Sequence, residues 1–459
     1  MNFYTDAPML SLPLPEDIAH LKHFGDFERM NRVIDLRLAD ENVPECVKTR
    51  LRLEKEICAR IPDEYPYDTE QACAILAEEL AGFVPEELER LRDEGKVDWI
   101  YLNGEVRYHC VFLETLVKVR PELADRVIKT ERLAYKKRNF AALDAVIRDM
   151  RQSGGAAYRW HVRHTLSLKP EYERPGAMLT AHIPLPVEDG YVKNFKLLDA
   201  GPVRPYLSEG PQRTACFRKP CEPGDVFRVE YSFETHMTYR RLDPALATGE
   251  IPPEAAAYLT EQPPHIAFTP LVKAVAAELR GTETNPLRLA RRVYDFLTKR
   301  PIYSYVREYF TYTDLPGFML TSLKGDCGIF ALSFIALCRA LGIPARWESG
   351  MYCAPHDLGS HDWAEFYCAP WGWLPVDGSF GNAAWRAGSQ LRHDFYFGNL
   401  EPFRLPAARA FQAPLDPPKR FLRADPYDNQ SGEMEYEDMG LIDEHYTFKR
   451  ELLSWERIH

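Results

Sequence analysis

Apolar residues recur at helical spacing through the first third of the chain. Pro44 predicts the opening of a helix on which Val47, Leu51, Ile57, Cys58 and Ile61 fall near one face. Leu113, Leu116, Val117 and Val119 predict another, closed by Pro121. At Gly154-Gly155 the period changes: Trp160, Val162, Leu166 and Leu168 alternate with polar residues, as in a half-buried strand. Phe227, Val229, Tyr231 and Phe233, interleaved with Arg228, Glu230, Ser232 and Glu234, repeat the signal, with turns at Pro184 to Pro186 and Glu222 to Gly224 between. Residues 152–245 therefore read as an antiparallel sandwich. Helical spacing returns at Thr269, an N-cap followed by Pro270 and closed by Gly281; a second helix starts at Pro286 and carries Leu289, Val293, Phe296 and Leu297.

From Tyr303 to Phe380 the chain becomes dense in aromatic residues, glycine and reactive side chains. Gly325-Asp326-Cys327-Gly328 precedes the apolar run Ile329, Phe330, Leu332, Phe334, Ile335, Leu337 and Leu341, which stops at Gly342 with Pro344 beyond. Cys327 thus opens a buried helix, where free N–H groups and the helix dipole favour a thiolate and suit an oxyanion. Position alone fits two readings, a nucleophile or a small packed hydrophobe. Cys338, on the same helix, takes the second.

Residues 361–367 (HDWAEFY) read as one strand and 373–377 as the next, joined around Pro370-Trp371-Gly372 with Gly372 left-handed. Parity puts His361 and Asp377 on one face. In the simplest register they are about 13 Å out of step, so the pairing calls for a bulge or a longer turn. Asp362 is expected on the face opposite His361, away from any such pair.

Together and in this order, KGDCGIFALSFIALCRALGIPARWESG (residues 324–350), HDWAEFY (361–367) and GWLPVDGSFG (372–381) resemble the transglutaminase-like superfamily in its bacterial form. The resemblance is specific over about residues 270–381. It implies a papain-like core with Cys327 as nucleophile, His361 as base and Asp377 orienting that base. It also implies an upstream aromatic oxyanion donor, which Tyr303 or Tyr305 matches best. His-Asp-Trp replaces the family's more usual His-Ala-Trp. The fold expectation is an α+β multidomain chain: helical domain 1–151, β-sandwich 152–265, catalytic core 266–400, and a C-terminal tail 401–459 packing on the body through Tyr427, Met434 and Tyr436. The activity expected is acyl transfer from a peptide or peptide-like amide, a peptidase or amidase; the alternatives are a protein-crosslinking transglutaminase and a non-catalytic scaffold of the same fold.

A net charge of −11 argues against a nucleic-acid partner, and no stretch approaches the roughly 20 apolar residues of a membrane helix. Ten cysteines dispersed over 459 residues, with no signal-like amino terminus, point to a cytoplasmic protein with free thiols. Cys353, His356, Asp357, His361 and Cys368 could in principle hold zinc but lack tight ligand spacing, and Asp425, Asp428 and Asn429 could suit calcium. A solvated charge run is the preferred reading of the latter, so no metal or cofactor is expected.

Overall fold

The computed structural model describes residues 2–119, 121–128, 131–188, 190–355 and 357–459. The first third is mainly helical. Its Glu45–Glu64 helix, with Pro44 at the N-cap, buries Leu51, Ile57, Cys58 and Ile61, the stripe read from their spacing. Phe112–Val119 forms the helix expected before Pro121. A hairpin, Trp99–Leu102 with Glu105–Tyr108, interrupts the helices. It turns on Asn103 (φ 50) and Gly104 (φ 92), the Asn-Gly pair whose positive φ values match the twist of two-residue hairpins.

Two antiparallel four-stranded sheets follow. In Gly155–Leu168 and Val226–Thr238 the alternating residues Trp160, Val162, Leu166, Phe227, Val229, Tyr231 and Phe233 are buried. Each sheet also takes a strand from the C-terminal segment: Glu433–Tyr436 pairs with Met178–Pro184, and Tyr446–Arg457 pairs with Gly155–Leu168. Tyr427, Met434 and Tyr436 are buried as anchors. The segment after residue 401 is thus built into both sheets as well as packed on them, which sequence alternation alone did not indicate.

The remaining layer packs the helices Pro270–Arg280, Pro286–Lys299 and Cys327–Ala340 with a sheet ordered Gly372–Val376, Asp357–Cys368, Ala345–Ala354, Arg404–Ala408. Thr269 caps the first helix by accepting from the Val272 N–H, and Gly281 (φ 48) ends it. The Cys327–Ala340 helix is buried along nearly its whole length, which accounts for a sequence apolar on every side. One apolar core runs from Phe3 to Tyr446 and crosses the boundaries expected at residues 265 and 400. Among the described residues no helix is long and apolar enough to cross a membrane.

Candidate active site

Asp326 caps the cysteine helix through the Ile329 N–H (3.3 Å) and accepts the Tyr309 hydroxyl on the same oxygen at 2.6 Å. Tyr309 lies so close across this turn that a Cβ at residue 328 would meet its oxygen at 2.1 Å. Glycine after the cysteine is therefore a steric requirement. Ile302–Tyr303 runs parallel to Lys324–Gly325, bringing Tyr303 beside the start of the helix. Its hydroxyl shares a hydrogen bond with the Cys327 sulfur. Tyr305 is exposed, with its ring centroid 6.1 Å from that of Tyr303. Of the two tyrosines, the structure brings Tyr303 to the thiol.

His361 and Asp377 meet: Nε2 and Oδ2 are 2.7 Å apart, with both side chains buried. The hairpin turns one residue earlier than expected, pairing Cys368 with Gly372 (φ 78) and Ala364 with Val376. That moves the register by two, so Asp377 falls next to Trp363 in projection, about 7 Å along the strand from His361. The imidazole and carboxylate span this diagonal, and no bulge is used. Asp377 itself leaves the strand to cap the Gly378–Arg386 helix, accepting from the Phe380 N–H at 2.8 Å.

Behind Asp377 stands Arg404, fully buried, whose Nη1 donates to Asp377 Oδ2 at 2.7 Å and whose Nε donates to Glu401 Oε1 at 2.9 Å. The rings of Phe380 (4.7 Å), Trp363 (5.3 Å) and Tyr352 (5.5 Å) surround its guanidinium. Burial pushes the Asp377 carboxyl up, but His361 and Arg404 outweigh it and hold the group well below the usual carboxylate range. Burial raises Glu401 to about 6 despite Arg404. Sequence reading missed Arg404: it carries no motif and reaches Asp377 only because Arg404–Ala408 pairs with Ala345–Ala354 on the far side of the histidine strand.

The cysteine side differs from expectation in two respects. Asp362, although next in sequence to His361, turns its carboxylate to the thiol, with Sγ and Oδ2 3.4 Å apart. Alternation put it on the other strand face, and the end of the cysteine helix lies against that face. Gln430, from the C-terminal segment, donates Nε2 to its other oxygen. Further, burial and two carboxyls oppose the helix terminus at the thiol. Burial pushes the Cys327 thiol well up, and Asp362 and Asp326 push it further. Asp362 is itself raised well above the carboxylate range by burial, then by Asp326 and Asp425.

Among the described residues no group of three or more His, Cys, Asp or Glu side chains is disposed to hold a metal ion. His356 and the Asp357 side chain lie outside the described residues. Asn429, one of the three residues read for calcium, spends its amide on the carbonyls of Arg213 (2.8 Å) and Ala407 (3.0 Å).

Residues 273–378 match the model of the transglutaminase-like superfamily. Over 137 residues the chain is 31% identical to an uncharacterized protein of Haemophilus influenzae, covering 25% of this chain and 37% of that one. Over 122 residues it is 27% identical to a protein-glutamine gamma-glutamyltransferase of Pseudomonas aeruginosa, covering 24% of this chain and 18% of the relative. The chain thus spans well under two thirds of either relative's length. Similar solved structures include a candidate cysteine protease from Cytophaga hutchinsonii, at 14% identity and TM-score 0.42, covering 66% of this chain and 91% of the other. Another is the periplasmic domain of TgpA from Pseudomonas aeruginosa, at 19% identity and TM-score 0.29, covering 54% and 95%.

Proposed function

From the transglutaminase-like domain that residues 273–378 form, we propose that this protein is a cysteine-dependent acyl-transfer enzyme, a peptidase or amidase acting on a peptide-like amide. The observation that carries the reading is the 2.7 Å bond between His361 Nε2 and the charged, Arg404-backed Asp377. It holds the imidazole in one orientation and stabilises its protonated form, as a base that takes a thiol proton requires.

In this reading the Cys327 sulfur forms a bond to the amide carbonyl carbon as its proton passes to His361 Nδ1. The carbonyl electrons move onto oxygen, and the Tyr303 hydroxyl and the N–H groups opening the cysteine helix stabilise that charge. Collapse breaks the C–N bond; His361 returns the proton to the departing amine and a thioester remains. Water, deprotonated by His361, then releases the acid and restores the thiol. Transfer to an amine would differ only in this second step. The resting thiol fits a nucleophile made only as the proton moves. The location proposed for the enzyme is cytoplasmic, on the dispersal of ten cysteines along the chain.

The test is a single-turnover reaction of the protein with a peptide p-nitrophenyl ester, stopped in acid and read by intact-protein mass. An acyl adduct located on Cys327 and missing from Cys327→Ala is the expected result. An adduct on another cysteine, or an undiminished one in Cys327→Ala, would refute the assignment. Product analysis with and without added amine then separates hydrolysis from transamidation.

A further inference from the structure

Two cavities meet on the seam between the N-terminal helices and the transglutaminase-like domain. The smaller, about 430 Å³, has Cys327 and Asp362 in its wall. The larger, about 1060 Å³, is walled by residues of the first hundred and by the segment that precedes the cysteine helix. The same two elements line both. On the Glu45–Glu64 helix, Ile61 faces the larger cavity and Glu64 the smaller, one turn apart, about 4.5 Å along the axis. On the other element, Glu308 and Tyr309 face the smaller, Thr311 and Tyr312 the larger, and Arg307 stands in both walls. Where the cavities meet the two elements are tied together: Arg60 Nη1 donates to Glu308 Oε2 at 3.1 Å, and the Glu308 N–H donates to Glu64 Oε2 at 2.5 Å. The larger cavity therefore continues the smaller one, leading away from the sulfur.

The charged side chains of the larger cavity are turned to partners within the fold. Lys22 and Arg50 both pair with Glu54, at 2.5 and 2.8 Å. Asp314 caps its helix through the Gly317 N–H at 2.9 Å, and Glu261 accepts the Phe268 N–H. Arg307 lies over the Tyr312 ring at 4.2 Å. The side chains left to the open space are mainly apolar: Leu12, Leu14, Trp99, Ile100, Phe268 and Phe318 line it, and each is only half-buried. Large apolar side chains held part-wet on one concave wall gain when an apolar group covers them.

We propose that the larger cavity is a distal subsite for the acyl donor, taking a large apolar side chain of the peptide while the attacked carbonyl lies at Cys327. The inference rests on the reading of Cys327 as nucleophile. The acyl portion takes the seam, and not the leaving portion, because His361, which in that reading protonates the departing amine, does not line the smaller cavity. The N-terminal helices, outside the matched residues 273–378, then hold the substrate at a distance from the chemistry, where binding energy serves to orient the amide.

The experiment measures the rate of Cys327 alkylation by acetylated oligoalanine chloromethyl ketones, each with one phenylalanine placed at a different distance from the ketone. Each step moves the ring by about 3.3 Å. The best peptide should carry its phenylalanine at least about three residues from the ketone, and should react about tenfold or more faster than the all-alanine peptide of the same length. That advantage should fall to within about twofold in Trp99→Ser or Phe318→Ser. A second measurement needs no variant. With p-benzoylphenylalanine in place of the phenylalanine, irradiation of the alkylated wild-type protein should crosslink the ring to residues 10–14, 99–101, 268 or 318. No optimum, an optimum next to the ketone, or crosslinks only elsewhere would overturn the proposal while leaving Cys327 as nucleophile. Should no ketone label Cys327, the benzophenone peptides are bound as plain amides to Cys327→Ala protein and irradiated. Crosslinks to the same residues would uphold the subsite although the nucleophile reading failed; their absence would overturn it.

Discussion

Asp377 and Asp362 are both buried carboxyls, one bonded to His361 and the other to Cys327. They behave in opposite ways. Asp377 has a guanidinium, an imidazole and a backbone N–H around it, and is held ionised. Asp362 has a thiol, an amide and two further carboxyls, and is pushed toward its neutral form. The histidine side holds its own buried cation in Arg404, whereas among the described residues no lysine or arginine pairs with Asp362. Cys327 and Asp362 line the cavity of about 430 Å³, so the two halves of the site differ in access as well as in charge.

The largest effect that would break this comparison is expected at Arg404. Arg404→Met keeps the bulk but leaves Asp377 and Glu401 buried without their cation, and should cost about 3–5 kcal/mol of stability. Chemical denaturation at pH 7 measures it; a loss below 1 kcal/mol would mean that the ion pair does not hold the histidine side together.

The two carboxyls should also respond to pH with opposite signs. The folded-state pKa of Asp377 is lowered from 3.8, so its ionised form contributes stability that is present above about pH 3.8 and is lost as pH falls through the folded value. Asp377→Asn should therefore be less stable than the wild type at pH 7, with the gap closing in acid. For Asp362 the folded pKa is raised from 3.8, so the fold keeps a proton that the unfolded chain releases. Stability is then lost as pH rises above 3.8, and Asp362→Asn, which cannot ionise, should gain on the wild type by up to roughly 1.4 kcal/mol per pH unit over that window. Melting curves from pH 2 to 8 test both; gaps of the same sign and slope would erase the distinction.

The smallest effect expected is on the thiol. Replacing the Asp362 carboxyl, which accepts the thiol's hydrogen bond, should lower the Cys327 pKa and speed its alkylation by iodoacetamide at pH 7 by about tenfold, roughly one pKa unit. Slower alkylation in Asp362→Asn would show that this carboxyl assists the thiol instead of restraining it.

How much of this was legible depends on whether the signal was local. The caps Thr269 and Asp326, the stop at Gly281 and the alternation of Trp160 to Leu168 are short-range chemistry, and the elements follow them. The Asn103-Gly104 hairpin was equally local, in WIYLNGEVRY, but lay inside a region read as helical. Cys327, His361 and Asp377 could be singled out because their motifs are contiguous with the strands and helix that carry them. The hairpin register was off by two because the turn begins at Ala369, a residue with no turn preference of its own. Arg404, Gln430 and the strand Tyr446–Arg457 were beyond reach. Each acts on a partner distant in sequence, and no local pattern encodes which strand a segment joins.

The central claim is that His361 takes the thiol proton as Cys327 is acylated. It is tested most directly by the single-turnover rate of Cys327 acylation in the wild type, His361→Ala and Asp377→Ala, each shown to be folded. The account predicts that His361→Ala loses about 10³-fold or more, because it assigns to His361 the proton of a thiol that burial and two carboxyls raise. Asp377→Ala should retain slow but measurable acylation, since the base remains and only its orientation and charge support are lost. Acylation of Cys327 at the wild-type rate in His361→Ala would contradict the account.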